Sequence, residues 1–232
     1  MLTLGIIGGM GPEATQVMYK AMIDLTDAKR DQDHIDMLIY SHASMPDRTE
    51  AIRSGDTGRI KALLAEDARL LRRAGADVLA IPCNTSHNFI EDIEDGVDIP
   101  VVNMIEETAE YIHTQRPDVK RVGILATDGT VEAGLYHRAL EKRGIEPFVP
   151  DEKNQKIVMD LIYGQIKAGQ KGSREDFAAV DYFLKKNGCD AAVLACTELS
   201  VFRTNHELDS YYVDALEVLC RRCITLCGGK LK

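Results

Sequence analysis

The chain of 232 residues has no stretch approaching the ~18 consecutive apolar residues that a membrane-spanning helix needs, so no span is expected. It has no long basic run, and acidic residues outnumber basic ones, 37 to 28, for a net charge of −9. Nucleic acid is therefore not an expected partner, because phosphate binding needs clustered Lys and Arg. The same charge does not exclude a small anionic substrate, since one local Arg outweighs the global charge at contact range. The N-terminal MLTLGIIGGMGPEAT has no basic residue ahead of its apolar run and is not expected to be a signal peptide. Low-complexity segments and an obvious linker are also missing. Six cysteines without an export signal read as reduced thiols in the cytoplasm.

What is present is 45% apolar residues, enough for a core, in short apolar runs that alternate with longer amphipathic segments. The runs predict strands over residues 4–8, 35–41, 78–82, 101–104, 122–126 and 191–196. Helices are predicted over 12–28, 57–74, 106–114, 130–143, 153–168, 173–186 and 210–226. Strand–helix alternation with continuously apolar strands points to an α/β fold of parallel sheets covered on both faces.

The two halves repeat faintly. LGIIGGMGPEAT opens the first and VGILATDGTVEA, from Val122, opens the second; each is a strand, a Gly-containing turn and a helix start. Each half then ends a later strand in a thiol, Cys83 in IPCNTSH and Cys196 in ACTELS. The expected domains are residues 1–105, completed by a C-terminal helical segment 207–232, and residues 106–206. Ligands of open parallel sheets bind beyond the carboxyl ends of the strands, so two facing halves would bring Cys83 and Cys196 to one cleft.

A cysteine at a strand end that begins a helix sits among unpaired backbone N–H groups, which is expected to lower its pKa. Two thiols on opposite sides of a carbon can do what one cannot. One removes a proton and the other returns one to the far face, inverting the centre. Each sulfur would approach to roughly 3–3.5 Å, leaving the pair about 6–7 Å apart and unable to form a disulfide. Asn84 and Thr85 after one thiol, and Thr197 and Glu198 after the other, offer donors and backbone N–H groups for a carboxylate whose charge grows as the proton leaves. A lone buried cysteine is more often a core residue than a catalyst. The matched pair in matched halves reverses that reading.

GIIGGMGPEAT, MPDRT, IPCNTSH, GILATDGT and ACTEL together resemble the cofactor-independent aspartate/glutamate racemase superfamily, most of all its aspartate racemase branch. The resemblance implies two α/β domains related by a pseudo-twofold axis, no pyridoxal phosphate, and commonly a homodimer; with no metal cluster evident among the residues, no metal or other cofactor is expected. It implies Cys83 and Cys196 as the acid/base thiols and an acidic amino acid, aspartate foremost, as substrate. It further implies that Arg48 of MPDRT and Lys167 of YGQIKAG contact substrate carboxylates, and that Met10, Thr127 and Thr130 line the cleft. Arg suits the first role because its fork donates two parallel hydrogen bonds to a planar carboxylate. Glutamate racemases carry a His after their second Cys-Thr, where this chain has Glu198. Two further readings stay open: isomerisation or decarboxylation of a related dicarboxylate, and a silent protein that binds acidic ligands or metal through its thiols.

Three other features need placing. Gly8, Gly9 and Gly11 do not keep the G-x-G-x-x-G spacing of a dinucleotide fingerprint and read as a tight turn near the substrate. His87, four residues after Cys83, either tunes that thiol or is a satisfied structural histidine. Cys220, Cys223 and Cys227 share one helix face, which reads as a buried stripe; no second Cys/His pair completes a metal site.

Overall fold

The computed structural model describes residues 1–232. Two four-stranded sheets carry the fold. The first runs β2-β1-β3-β4, from β1 (Leu4–Gly8), β2 (Met37–Ser41), β3 (Val78–Ala80) and β4 (Val101–Val102). The second runs β6-β5-β7-β8, from β5 (Arg121–Leu125), β6 (Glu146–Phe148), β7 (Ala191–Leu194) and β8 (Tyr212–Asp214). Every pairing in both is parallel. The strand orders are the same, so the faint sequence repeat corresponds to a structural one, and β3 and β7 occupy equivalent central places.

The helices are α1 (Pro12–Leu25), α2 (Arg48–Ser54), α3 (Gly58–Arg73), α4 (Ile90–Glu94), α5 (Met104–Gln115), α6 (Asp128–Glu132), α7 (Leu135–Glu141), α8 (Glu152–Met159), α9 (Arg174–Lys186), α10 (Thr197–Asn205) and α11 (Ala215–Leu226). None is long and apolar enough to cross a membrane. A 3₁₀ turn over Thr85–Phe89 precedes α4, and a π-helical stretch over Asp160–Ile166 extends α8. Alternation of apolar β1 and β5 with amphipathic helices follows from parallel pairing, which leaves both sheet faces to be covered.

Burial falls into three clusters. The largest, 30 residues, joins the halves: Leu4, Ile6 and Val78 of the first sheet pack with Val122, Ile124 and Val193 of the second. Helix α11 lies against both α1 and α5 in this seam. Its Cys220, Cys223 and Cys227 are almost wholly buried there, as a core stripe. Each smaller cluster fills the outer side of one sheet, and each contains one of the two motif cysteines, Cys83 in one and Cys196 in the other.

Several elements differ from expectation. β6 and β8 have three residues each and carry little pattern; β6 contains Pro147, tolerated because the strand is an edge. The helix expected from residue 210 starts at Ala215, capped by the Asp214 side chain, which accepts from the Leu216 N–H. Residues 212–214 instead pair with β7, so the second sheet extends past residue 206, where the second domain was expected to end. The helix expected over 130–143 is broken at Gly134, which adopts φ +64°, a left-handed conformation that ends α6 and starts α7. Helix α2 was not expected, because RTEAIRS has too few apolar residues to show a period.

Candidate active site

Both motif thiols stand just past the carboxyl ends of equivalent strands. Cys83 is three residues beyond β3, and Cys196 is two beyond β7, at the N-cap of α10. Each is buried, with 5% and 6% of its surface exposed. Both remain free thiols.

Beside them opens a cleft of about 310 Å³, lined among others by Gly9, Met10, Gly11, Arg48, Lys167 and Glu198. Its volume is at the lower end of the range for small-molecule sites. Four of the expected residues, Met10, Arg48, Lys167 and Glu198, thus share one cavity wall. Gly9 makes the turn possible: its φ is +90°, and a Cβ there would lie 2.5 Å from the His42 backbone. The Gly9 N–H donates to Thr15 Oγ1 at 2.9 Å, which fixes the loop over the start of α1.

Arg48 is the first residue of α2, and the Asp47 side chain caps that helix by accepting from the Glu50 N–H at 2.9 Å. The guanidinium is buried. Its Nη1 donates to the Pro46 carbonyl at 2.9 Å, while Nε has no partner in the protein. Burial opposes its charge, but Cys83 and Asp47 close by outweigh burial and raise its pKa. A buried N–H without a protein partner on a cleft wall is able to donate to an anionic group.

Lys167 follows the π-helical stretch, whose wider turn is a common local device at functional sites. Its ammonium forms an ion pair with Glu198 Oε1. The other oxygen, Oε2, accepts from the Cys196 thiol at 2.9 Å. Burial again opposes the lysine charge, yet Glu198 and Cys196 carry its pKa upward. Cys196 behaves otherwise than its helix-start position suggests. Burial pushes its pKa well above the usual thiol value, and Glu198 adds to the rise, against a smaller opposing pull from Lys167. The expected lowering is corrected: at this thiol, desolvation exceeds the helix terminus.

The remaining expected residues form the seam between the halves. Thr85 Oγ1, from the first half, lies 3.1 Å from Thr127 Oγ1 and 2.9 Å from Thr130 Oγ1 of the second, and those two lie 3.2 Å apart. Thr197 Oγ1 donates to the Pro82 carbonyl at 3.3 Å. Asn84 Oδ1 accepts from the Tyr136 hydroxyl at 2.6 Å, and its buried Nδ2 has no partner. These contacts tie together the strand-end loops that carry the two thiols.

His87 is structural. Its Nε2 accepts from the Met104 N–H at 3.1 Å, which leaves Nδ1 to donate to the Cys83 carbonyl at 2.9 Å. Burial lowers its pKa and keeps it neutral. Sequence reasoning missed Tyr136 and Tyr163. The Tyr163 hydroxyl reaches from the second half to Asp47 Oδ2, 3.0 Å away, and Thr49 Oγ1, 3.2 Å away. Its place four residues before Lys167, on one helix face, was the available signal.

A family model described as Asp/Glu/Hydantoin racemase matches residues 7–223. Among characterised relatives, the chain is 27% identical over 226 residues to the broad specificity amino-acid racemase RacX of Bacillus subtilis, covering 96% of each chain. Among solved structures it resembles Picrophilus torridus aspartate racemase, with a TM-score of 0.87, 32% identity and coverage of 100% of this chain and 96% of that one. An aspartate racemase homologue from Pyrococcus horikoshii aligns with a TM-score of 0.77 and 27% identity, over 98% of this chain and 99% of that chain.

Proposed function

The chain belongs to the Asp/Glu/hydantoin racemase family and is an isomerase, and from that premise we propose that it racemises an acidic amino acid, aspartate foremost, without a cofactor, using Cys83 and Cys196 as opposed acid and base. One observation carries the choice of substrate: a single small cleft has two cations on its wall, Arg48 with an unpartnered Nε, and Lys167. Two positive groups, Arg48 and a Lys167 that Glu198 holds until a ligand competes for it, suit two carboxylates. In the proposed reaction a thiolate takes the α-proton, the C–H electron pair delocalises into the carboxylate held by a cation, and the opposite thiol protonates the other face. The thiolate has then become a thiol and the thiol a thiolate, so the enzyme emerges ready for the opposite enantiomer.

The threonine contacts between the halves support this reading by fixing the spacing of the two cysteine loops, on which a two-sided transfer depends. The name of the Bacillus relative motivates a second reading, racemisation of several amino acids. Proton–deuterium exchange at the α-carbon across aspartate, glutamate and neutral amino acids separates the two. Aspartate is expected to exchange fastest, and equal exchange of neutral amino acids overturns the acidic-substrate reading. Activity is expected to survive dialysis and chelator; restoration by pyridoxal phosphate or metal would contradict a cofactor-free reaction. Six free cysteines suit a reducing compartment, and the cytoplasm is the proposed location, with a homodimer the proposed assembly.

A further inference from the structure

We infer that Glu198 and Lys167 form a switch in which a dicarboxylate ligand, by drawing Lys167 to itself, releases Glu198 to take the proton of Cys196. This rests on the racemase reading above, and it moves substrate choice from the binding step to the arming of a thiol.

The geometry is a three-member chain. The Cys196 thiol donates to Glu198 Oε2 at 2.9 Å, and Glu198 Oε1 holds the Lys167 ammonium. The Glu198 side chain is 6% exposed and the Lys167 side chain 24%, so a ligand entering the cleft meets the lysine first. A Cβ on Gly11 would stand 3.2 Å from Glu198 Oε1 and 3.9 Å from Lys167 Nζ. The ion pair therefore borders the glycine turn on the cleft wall, with no side chain between.

With Lys167 in place the carboxylate is the stabilised anion and the proton stays on sulfur. A ligand carboxylate that pairs with Lys167 removes that support. Glu198 then binds a proton more strongly, and the nearest one is on Cys196. The S–H bond breaks, an O–H bond forms at Oε2, and the electron pair remains on sulfur as a thiolate. The number of charges in the pair does not change, so burial opposes this transfer far less than it opposes loss of the thiol proton to solvent. Arg48, with its Nε unpartnered, takes the first carboxylate of any ligand. Only a second carboxylate reaches Lys167, so a monocarboxylate leaves the pair closed and Cys196 a thiol.

Succinate is the probe, since it carries both carboxylates and no amino group to complete a reaction; butyrate is its monocarboxylate control. Thiolate is read by its ultraviolet absorbance at neutral pH, with the signal of a Cys196→Ser variant subtracted, and binding is followed by calorimetry. Succinate is expected to raise the Cys196 thiolate signal severalfold and butyrate to leave it unchanged. Glu198→Gln, which keeps shape and removes the proton acceptor, is expected to abolish the rise, as is Lys167→Met. No rise with succinate bound, failure of succinate to bind, an equal rise with butyrate, or an undiminished rise in Glu198→Gln each overturns the switch. Aspartate α-proton exchange by the native protein reports separately on the racemase reading, which stands if exchange occurs without a ligand-induced thiolate.

Discussion

Replacing Arg48 with Ala tests the binding half of the account. The guanidinium is buried, one face is tied to the Pro46 carbonyl, and its Nε has no protein partner. A ligand carboxylate there would complete a charge-assisted hydrogen bond out of bulk water. Truncating one member of such a buried pair costs about 2–5 kcal/mol, because the other charge is left unpaired. At 1.36 kcal/mol per tenfold, kcat/KM for aspartate should fall about 30- to 5,000-fold. Cys83 lies close enough to Arg48 to raise the arginine's pKa, so Arg48 stands beside a reacting thiol as well as beside the bound carboxylate. The loss should then appear in kcat as well as KM. Arg48→Lys keeps the charge but loses the fork and should remain well below the native rate. Steady-state α-proton exchange, followed by NMR in deuterium oxide, gives both constants, and a thermal melt of each variant checks that the loop over residues 45–48 still folds. A folded Arg48→Ala protein with native kcat/KM would remove this residue from the site and refute the reasoning.

Three further outcomes follow from the same contacts. Thr85→Val removes the hydroxyl that meets Thr127 and Thr130 across the seam; it should cost about 0.5–1.5 kcal/mol in denaturant unfolding, and no loss of stability would show that the contact is idle. His87 is buried and held neutral, with its pKa lowered from the usual 6.5. The unfolded chain therefore binds the extra proton first, so this contribution is full above about pH 6.5 and is lost as the pH falls below it; the native Tm should drop over that range more steeply than that of His87→Gln, and parallel profiles would contradict the assignment. Gly9→Ala forces a positive φ on a residue with a Cβ, beside the His42 backbone; the backbone alone costs about 1–3 kcal/mol, and an unchanged denaturation midpoint would show that the turn relaxes without strain.

The central strands β1, β3, β5 and β7 were legible because parallel strands buried on both faces read as continuous apolar runs. The short β6 and β8 were not, since three residues carry no period and register with a neighbour decides them. At the site, Cys83 and Cys196 stood out by their matched contexts, and Arg48, Lys167, Glu198 and Met10 do line one cleft. Not legible were the contacts that join the polar residues across the halves: Asn84, Thr85, Thr127, Thr130 and Thr197, expected near the substrate, also bond to one another, to Tyr136 or to the Pro82 carbonyl, and tertiary packing alone sets those pairs. The upward shift of Cys196 was also out of reach, because it depends on burial and on the rotamer that brings Glu198 to the sulfur. Local sequence shows the helix start beside a thiol but not the depth at which tertiary packing sets it.

The most direct measurement of the central claim takes the two thiols one at a time. Cys83→Ser and Cys196→Ser are each incubated in deuterium oxide with L-aspartate and, separately, D-aspartate. Neither variant is expected to interconvert the enantiomers, because inversion needs a proton donor on the far face. Each retains one thiol able to take and return a proton on its own side, so one variant should label mainly L-aspartate and the other mainly D-aspartate. Labelling of the same enantiomer by both variants, or racemisation at the native rate by either, would contradict the two-thiol account.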